Sequence, residues 1–296
     1  MKTSEQCERT GTGFFPTTRS FSSAELTNCF LQTANLIREQ ASRNVVTNSG
    51  PTALHGTAAE NVCMQSKSEQ AEIVPTFYSR HGKRIFDLVA AIFGLAATSP
   101  LLLLCAIAVR ISSTGPIFFL QRRVGQRGKP FNIIKFRTMV HRAEQRGLRI
   151  TAEGDSRITA AGRRLRKLKL DELPQLLNVL KGDMSFVGPR GEVPEYVAGY
   201  NAEQLKILEV KPGITGPASL AYIDEESILA RQTDKEGFYI RTLLPQKLTL
   251  DLLYCRRITF RDDLKLILAT LKELFESGDM KSNPHPVSSQ TGSLHK

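Results

Sequence analysis

The chain has 296 residues, a formal net charge of +11, 41% hydrophobic residues and no tryptophan. That length supports one or two domains with a substantial core, and the composition excludes collagen-like and wholly disordered chains. Five widely spaced cysteines (Cys7, Cys29, Cys63, Cys105, Cys255), with no CxxC or paired His/Cys spacing, argue against a disulfide scaffold or structural zinc and for reduced thiols in a cytosolic environment.

Residues 1–79 are polar, and the first 80 positions carry seven basic and seven acidic side chains. Met1–Arg19 has no secretory pattern. A short helix is expected over Ala24–Arg43, and the remainder reads as a disordered extension. Next comes Leu88–Val109, a run of 22 residues without a charge. As a straight helix it would be about 33 Å long, the thickness of a hydrocarbon core. Ser99-Pro100 falls near its middle. Proline lacks an N–H and its ring clashes with the carbonyl four residues back, so a bend is expected there. His81, Lys83 and Arg84 precede the run; Arg110, Arg122 and Arg123 follow it. Basic residues stay on the cytoplasmic side, so two basic flanks suit a helix that enters and returns. The competing reading is a proline-kinked helix that spans the bilayer.

After Gly115-Pro116, the apolar Ile117–Leu120, the turn glycines Gly125 and Gly128, and Phe131–Phe136 predict a small antiparallel hairpin. Gly162–Leu180 reads as helical, broken or re-aimed at Pro174. A last helix is expected over Arg261–Phe275, with an apolar stripe of Leu264, Ile267, Leu268, Leu271, Leu274 and Phe275 and with Asp262 or Asp263 as its cap. Residues 279–296 form a polar tail. The fold class is therefore mixed α+β, mostly helical, with one small antiparallel hairpin.

Positions 121–170 hold fifteen Lys/Arg against only Glu144, Glu153 and Asp155. Such a block implies an anionic partner, whether nucleic acid, anionic lipid or a phosphorylated substrate; the plain alternative is a solvated basic face. Among the acidic clusters, Asp262-Asp263 is explained by capping and Asp224-Glu225-Glu226 by the first turn of a helix. Asp171-Glu172 differs because it follows Arg163, Arg164, Arg166, Lys167 and Lys169. Pro174 is tolerated only in a first turn, which places Asp171 near an N-cap. Backbone N–H groups and the cations are expected to lower its pKa. An ionised aspartate among phosphate-binding cations can attack phosphorus. Glu172 can hold a divalent cation together with substrate phosphates. Plain capping remains the alternative for Asp171. Lys135 and Arg137, two residues apart, are expected on one strand face, and Gly188-Pro189-Arg190 is a turn exposing an arginine. Both suit phosphate oxygens or solvated surface charge.

Taken together, these stretches resemble the bacterial sugar transferase family, the monotopic polyprenyl-phosphate phosphoglycosyl transferases. The resemblance runs from about Lys83 to Phe275. It is carried by Lys83-Arg84-Ile85-Phe86-Asp87, Ser99-Pro100, Gly115-Pro116-Ile117-Phe118, Gln121-Arg122-Arg123-Val124-Gly125 and Lys135-Phe136-Arg137-Thr138-Met139. It continues through Asp155-Ser156-Arg157-Ile158-Thr159, Leu170-Asp171-Glu172-Leu173-Pro174-Gln175-Leu176, Val187-Gly188-Pro189-Arg190 and Lys211-Pro212-Gly213-Ile214-Thr215-Gly216.

The resemblance implies that a sugar-1-phosphate passes from a nucleotide sugar, usually a UDP-sugar, to polyprenyl (undecaprenyl) phosphate, releasing UMP, as the first step of exopolysaccharide or glycan assembly. It implies Asp171 as nucleophile through a covalent phosphosugar intermediate and Glu172 as the Mg²⁺ ligand. Lys135, Arg137, Arg157, Pro189 and Arg190 would bind substrate or phosphate. Ser99 and Pro100 would kink a re-entrant helix over residues 80–112, leaving a monotopic protein on the cytoplasmic face of the bacterial inner membrane, with residues 113–278 as its catalytic domain. Its partners would be the donor, the polyprenyl phosphate, membrane lipids and downstream glycosyltransferases, with no nucleic acid. Two departures stand out: Gly191 replaces the family's usual proline after Arg190, and Pro217-Ala218-Ser219-Leu220 differs from the commoner aromatic-Ala-Gln-Val. The rival readings are a membrane-associated scaffold of the same fold without catalysis and a basic nucleic-acid-binding protein.

Overall fold

The computed structural model describes residue 73, residues 76–141, residue 143 and residues 151–280. The expected helix at Ala24–Arg43, the cations Arg142, Arg146 and Arg149, the side chain of Phe275 and the tail after residue 280 lie outside the described residues.

A short π-helical turn, Tyr78–Gly82, leads into α1, Lys83–Ser112. Among the described residues α1 is the one helix long and apolar enough to cross a membrane. Ile85, Phe93, Leu103, Leu104 and Ile111 are left exposed on it, an apolar surface too continuous for contact with water. The helix runs on through Pro100. Proline cannot donate to Ala96 O, and the Ser99 hydroxyl donates to that carbonyl instead at 2.9 Å. Thr98 Oγ1 donates to Gly94 O at 2.7 Å. The Ser-Pro pair thus interrupts the ladder and satisfies the carbonyl it orphans.

Both ends of α1 dock on the rest of the molecule. Lys83 pairs with the fully buried Asp263. Arg84 donates to the carbonyls of Val179 at 2.6 Å and Leu180 at 2.9 Å. Asp87 accepts from Ser185 Oγ and Phe186 N, both at 3.0 Å. Ala91 packs in a cluster with Ile133, Val179 and Met184; further on, Cys105 and Val109 pack with Phe136 and Leu165.

The hairpin is present, with β1 (Phe118–Val124) antiparallel to β2 (Pro130–Phe136) in register from Phe118↔Phe136 to Val124↔Pro130. Next come α2, Ala160–Lys167, a 3-10 turn at Leu170–Gln175, and α3, Leu176–Lys181. The break expected at Pro174 falls earlier, at Lys169, whose φ of 53° turns the chain left-handed. Pro174 then sits inside the 3-10 turn rather than at its start.

A second sheet joins β3, Ser185–Val187, to β4, Gly213–Thr215, in parallel. Strands of three residues are too short to show a period of two, so the sequence carries no sign of them. Gly188 follows β3 where a Cβ would stand 2.4 Å from Lys211 O, so only glycine fits this close approach. Short helices α4 (Pro194–Val197) and α5 (Ala202–Leu205) lie between β3 and β4. After β4 come α6, Pro217–Ala221; α7, Glu225–Ala230; and α8, Lys235–Phe238. The chain ends its described course in α9, Leu244–Arg256, and α10, Phe260–Met280. The main core gathers Leu220, Leu229, Leu248, Tyr254 and Leu266 around α9.

Neither Asp262 nor Asp263 caps α10. Thr259 Oγ1 accepts from Asp262 N at 3.3 Å and donates to Asp262 Oδ2 at 2.6 Å. Asp263 is drawn inward instead, where the Tyr254 hydroxyl donates to it at 2.7 Å beside Lys83.

Candidate active site

A cavity of about 1470 Å³ opens between the hairpin, the 3-10 turn, α4, α6, α7, α9 and the helices α1 and α10. Asp171, Glu172, Lys135, Arg157 and Arg190 all line it. The 3-10 turn delivers the two carboxylates. Lys169, not Asp171, occupies the N-cap position, and Asp171 accepts no capping bond. Asp171 is buried, and among the described residues its carboxylate carries no hydrogen bond or ion pair.

Glu172 is the hub. Its Oε1 meets Lys135 Nζ at 2.7 Å and Arg190 Nη2 at 3.3 Å. Burial opposes ionisation of Glu172, but Lys135 and Arg190 outweigh it and hold the group well below the usual carboxylate range. Asp171 goes the other way. Burial and then the adjacent Glu172 charge push its pKa up, against the pull of Lys135, Arg166 and Lys169. The expected lowering at Asp171 is therefore corrected: it assumed a helix cap, and the side chain stands in a buried pocket beside a like charge.

Lys135 and Arg137 part company. Lys135 lies on β2 and points to Glu172. Arg137 lies just past the strand end, where alternation no longer governs its direction. It is buried against the junction of α1 and β1, donating to Ser113 O at 2.8 Å and Ser113 Oγ at 3.0 Å, outside the cavity lining. Arg157 reaches the cavity while paired with Asp155, its Nη2 2.6 Å from Oδ2. Pro189 is fully buried behind Arg190, outside the cavity lining, and its carbonyl accepts from Gly213 N at 2.9 Å.

Arg190 is held from both sides despite the glycine that follows. Its backbone N–H donates to Asp251 Oδ2 at 3.1 Å, while the Gly191 carbonyl accepts from Arg123 Nη1 at 2.9 Å. Asp251 Oδ1 also accepts from Ala218 N at 3.2 Å, so one carboxylate ties the arginine turn to the start of α6. Burial pushes the pKa of Asp251 up to about 7, against the pull of those two N–H groups.

The opposite wall is a polar network absent from the sequence reading. Buried Glu192 accepts from the Tyr239 hydroxyl at 2.7 Å and pairs with Arg123 at 3.2 Å. Lys247 donates to Glu225 at 2.8 Å and to the Tyr239 oxygen at 3.2 Å. Burial opposes the charge on Glu192, but Lys247 and Arg123 hold its pKa down. Arg166 also faces the cavity, donating to Thr138 Oγ1 at 2.9 Å and pairing with Glu226 at 2.8 Å. One sign of this wall was readable. Leu244, Lys247, Leu248, Asp251, Tyr254 and Cys255 share the buried stripe of α9, and a lysine and an aspartate on such a stripe need partners. Glu192 and Tyr239 carry no comparable signal.

No group of three or more His, Cys, Asp or Glu side chains able to hold a metal occurs among the described residues. Mg²⁺ does not need one, since it is held by one or two carboxylates plus substrate phosphates. Glu172 fits that description: its cation contacts fall on Oε1, and Oε2 makes none among the described residues.

Residues 78–277 match the family model described as bacterial sugar transferase. The chain is 40% identical over 212 residues to the uncharacterized sugar transferase EpsL of Bacillus subtilis, covering 71% of this chain and 96% of that protein. It is 38% identical over 203 residues to the UDP-glucose:undecaprenyl-phosphate glucose-1-phosphate transferase of Caulobacter vibrioides, covering 65% of this chain and 69% of the relative. It is 43% identical over 143 residues to the UDP-N-acetylgalactosamine-undecaprenyl-phosphate N-acetylgalactosaminephosphotransferase of Aeromonas hydrophila, covering 47% of this chain and 34% of that relative.

Proposed function

Because the chain belongs to the bacterial sugar transferase family, we propose that it transfers a sugar-1-phosphate from a UDP-sugar to undecaprenyl phosphate at the membrane, with release of UMP. The observation that carries this reading is the pairing within the cavity. Asp171 is uncommitted and faces the open space, while Glu172 beside it is held ionised by Lys135 and Arg190. Two relatives are named for this transfer to undecaprenyl phosphate from UDP-glucose and from UDP-N-acetylgalactosamine. Another, 40% identical over 149 residues, is an exopolysaccharide production protein of Rhizobium meliloti. The product would accordingly enter exopolysaccharide assembly and pass to later glycosyltransferases.

In the proposed reaction the Asp171 carboxylate attacks the sugar-bearing phosphorus. The bond to the bridging oxygen breaks and UMP leaves. The phosphosugar rests on Asp171 until a phosphate oxygen of the lipid attacks the same phosphorus and frees the carboxylate. Lys135, Arg190 and Arg166 offset charge on the diphosphate as it develops in the transition state. Mg²⁺ held by Glu172 would add Lewis-acid neutralisation of the phosphate oxygens when bound.

The re-entrant reading of α1 is part of the proposal. Ala91 and Cys105 lie fourteen residues apart, about 21 Å on a straight helix. The β2 residues of their respective clusters, Ile133 and Phe136, are three apart, about 10 Å along a strand. A bend at Ser99-Pro100 reconciles the two spans and leaves both ends of α1 on one domain, on the cytoplasmic face. The cations of the basic block support an enzyme over a nucleic-acid binder, because Lys135, Arg157 and Arg166 are engaged inside the cavity with acids.

The test is UMP release by the detergent-solubilised chain, given Mg²⁺, undecaprenyl phosphate and a panel of UDP-sugars, with Asp171→Asn run alongside. Release that needs all components and disappears in the variant supports the reading. Release that survives the substitution removes Asp171 as nucleophile, and no release from any donor favours the scaffold.

A further inference from the structure

Arg137 lines no part of the cavity, yet it is only 6% exposed. Its Nη2 donates to Ser113 O and Oγ, whereas Nε and Nη1 are buried and meet no acceptor among the described residues. Three N–H groups of the guanidinium are therefore left over. The backbone on either side is pinned: Arg137 N donates to Ile117 O at 2.9 Å, and the Thr138 carbonyl accepts from Thr159 N at 3.0 Å. The guanidinium lies beside Gly115, where φ is 119° and an added Cβ would stand 2.5 Å from Arg137 Nη1 and 3.2 Å from His141 Nδ1. Arginine and histidine thus border one small space over this glycine. Burial and then the charge of Arg110, in the last turn of α1, press the pKa of Arg137 down. A buried cation beside a like charge, with donors unfilled, is costly until an anion completes it.

We propose that Arg137, with Arg110 and His141, binds the phosphate of an anionic phospholipid where the half of α1 after Pro100 leaves the bilayer. The position names the source of the anion. Ser113 and Gly115 follow closely on Val109, the last residue of the apolar run, which sets them at the depth of lipid headgroups. Ile111 and Phe118, on either side of them in the chain, are exposed and offer apolar surface to acyl chains. Among the described residues the charge that acts on Arg137 is that of Arg110, with no acid opposing it, so a headgroup without an ammonium fits best. The surface around the site is basic as well: Arg163, Arg164 and Lys167 are exposed on α2, whose Leu165 packs with Cys105 and Val109 of the same half of α1. The phosphate enters beneath the exposed His141 and supplies the acceptors that Arg137 lacks. The lipid held here is a fixture of the bilayer boundary rather than a reactant, and its binding stands whether or not the transfer reaction does.

The experiment titrates the full chain in detergent with phosphatidylglycerol and reads bound lipid by native mass spectrometry. The wild type is expected to bind phosphatidylglycerol about tenfold more tightly than phosphatidylcholine, and Arg137→Gln to lose that preference. Arg137→Lys keeps the charge and is expected to recover part of it. An unchanged preference in Arg137→Gln overturns the proposal, as does a wild type that holds phosphatidylcholine equally well. Arg110→Gln alters an exposed side chain and keeps the test open where Arg137→Gln fails to fold. It is expected to weaken phosphatidylglycerol about threefold, and an unchanged affinity there then overturns the proposal. Inorganic phosphate and undecaprenyl phosphate serve as competitors. Displacement of the lipid by an equal concentration of inorganic phosphate marks a site for free anions. Preferential displacement by undecaprenyl phosphate marks a site for the acceptor. Either result overturns the assignment to phospholipid.

Discussion

At one end of the cavity, Lys135 from the hairpin and Arg190 from the β3 loop meet Glu172 of a 3-10 turn within hydrogen-bonding distance, next to the buried Asp171. At the other end, α1 and α10 supply a mostly apolar lining that includes Phe86, Ala90, Gly94, Leu264, Ile267 and Leu271. The charged end is built from segments far apart in the chain, each held by bonds to a further group. The apolar end is built from two continuous helices, and its character follows from residue type alone. The first needs geometry accurate enough to place charge; the second needs only volume and apolarity. The two ends should therefore respond differently to substitution.

The largest effect is expected at Asp171. Asp171→Asn removes the proposed nucleophile while keeping the shape, and UMP release should fall by at least about 10⁴-fold; a loss under tenfold would show that the charged end works without covalent catalysis. Next is Lys83→Ala, at the contact where the two helices meet. It leaves Asp263 buried without its cation, and should destabilise the fold by about 3–5 kcal/mol, read from thermal unfolding in detergent. Arg190→Ala withdraws one cation from Glu172 and the donor phosphates, and should lower kcat by about 10²- to 10³-fold.

A smaller effect is expected from pH. The pKa of Asp171 is raised in the fold, so the fraction of ionised Asp171, and with it kcat of the proposed reaction, should climb as pH rises through that value. Lys135→Met removes a charge that favours both ionised carboxylates, and should move the rising limb to higher pH. The smallest effect belongs to Asp251. The folded protein keeps its proton up to about pH 7, whereas the unfolded chain releases it near the ordinary 3.8. Between those values the stability contributed by this group falls as pH rises. Asp251→Asn should flatten that part of a pH–stability curve.

Much of the fold was legible. The 22-residue apolar run and the turn glycines of the hairpin are local signals, and each corresponds to an element. The acidic pair in the cavity was legible because Asp171-Glu172 follows a basic run within a few residues. Arg137 misled because the strand stops at Phe136, and one residue past the end the alternation that put it beside Lys135 no longer holds. The last helix misled for a different reason. Asp262 and Asp263 both sit at a helix start, where capping is a sufficient explanation, but Asp263 is claimed by Lys83, 180 residues earlier in the chain. The β3–β4 pair, Glu192 and Tyr239 left no trace, since each is defined by partners distant in sequence.

By itself, the sequence determined what depends on neighbours along the chain: an apolar helix with Ser99-Pro100 near its middle, a hairpin, an acidic pair beside cations, and the family to which these motifs belong. The tertiary structure alone decided which cations reach the carboxylates, that Glu172 rather than Asp171 takes the ion pairs, and that α1 and α10 line the same cavity. The physical reason is that ionisation and cavity shape depend on burial and on charges a few ångströms away in space, and those distances exist only once the segments have packed.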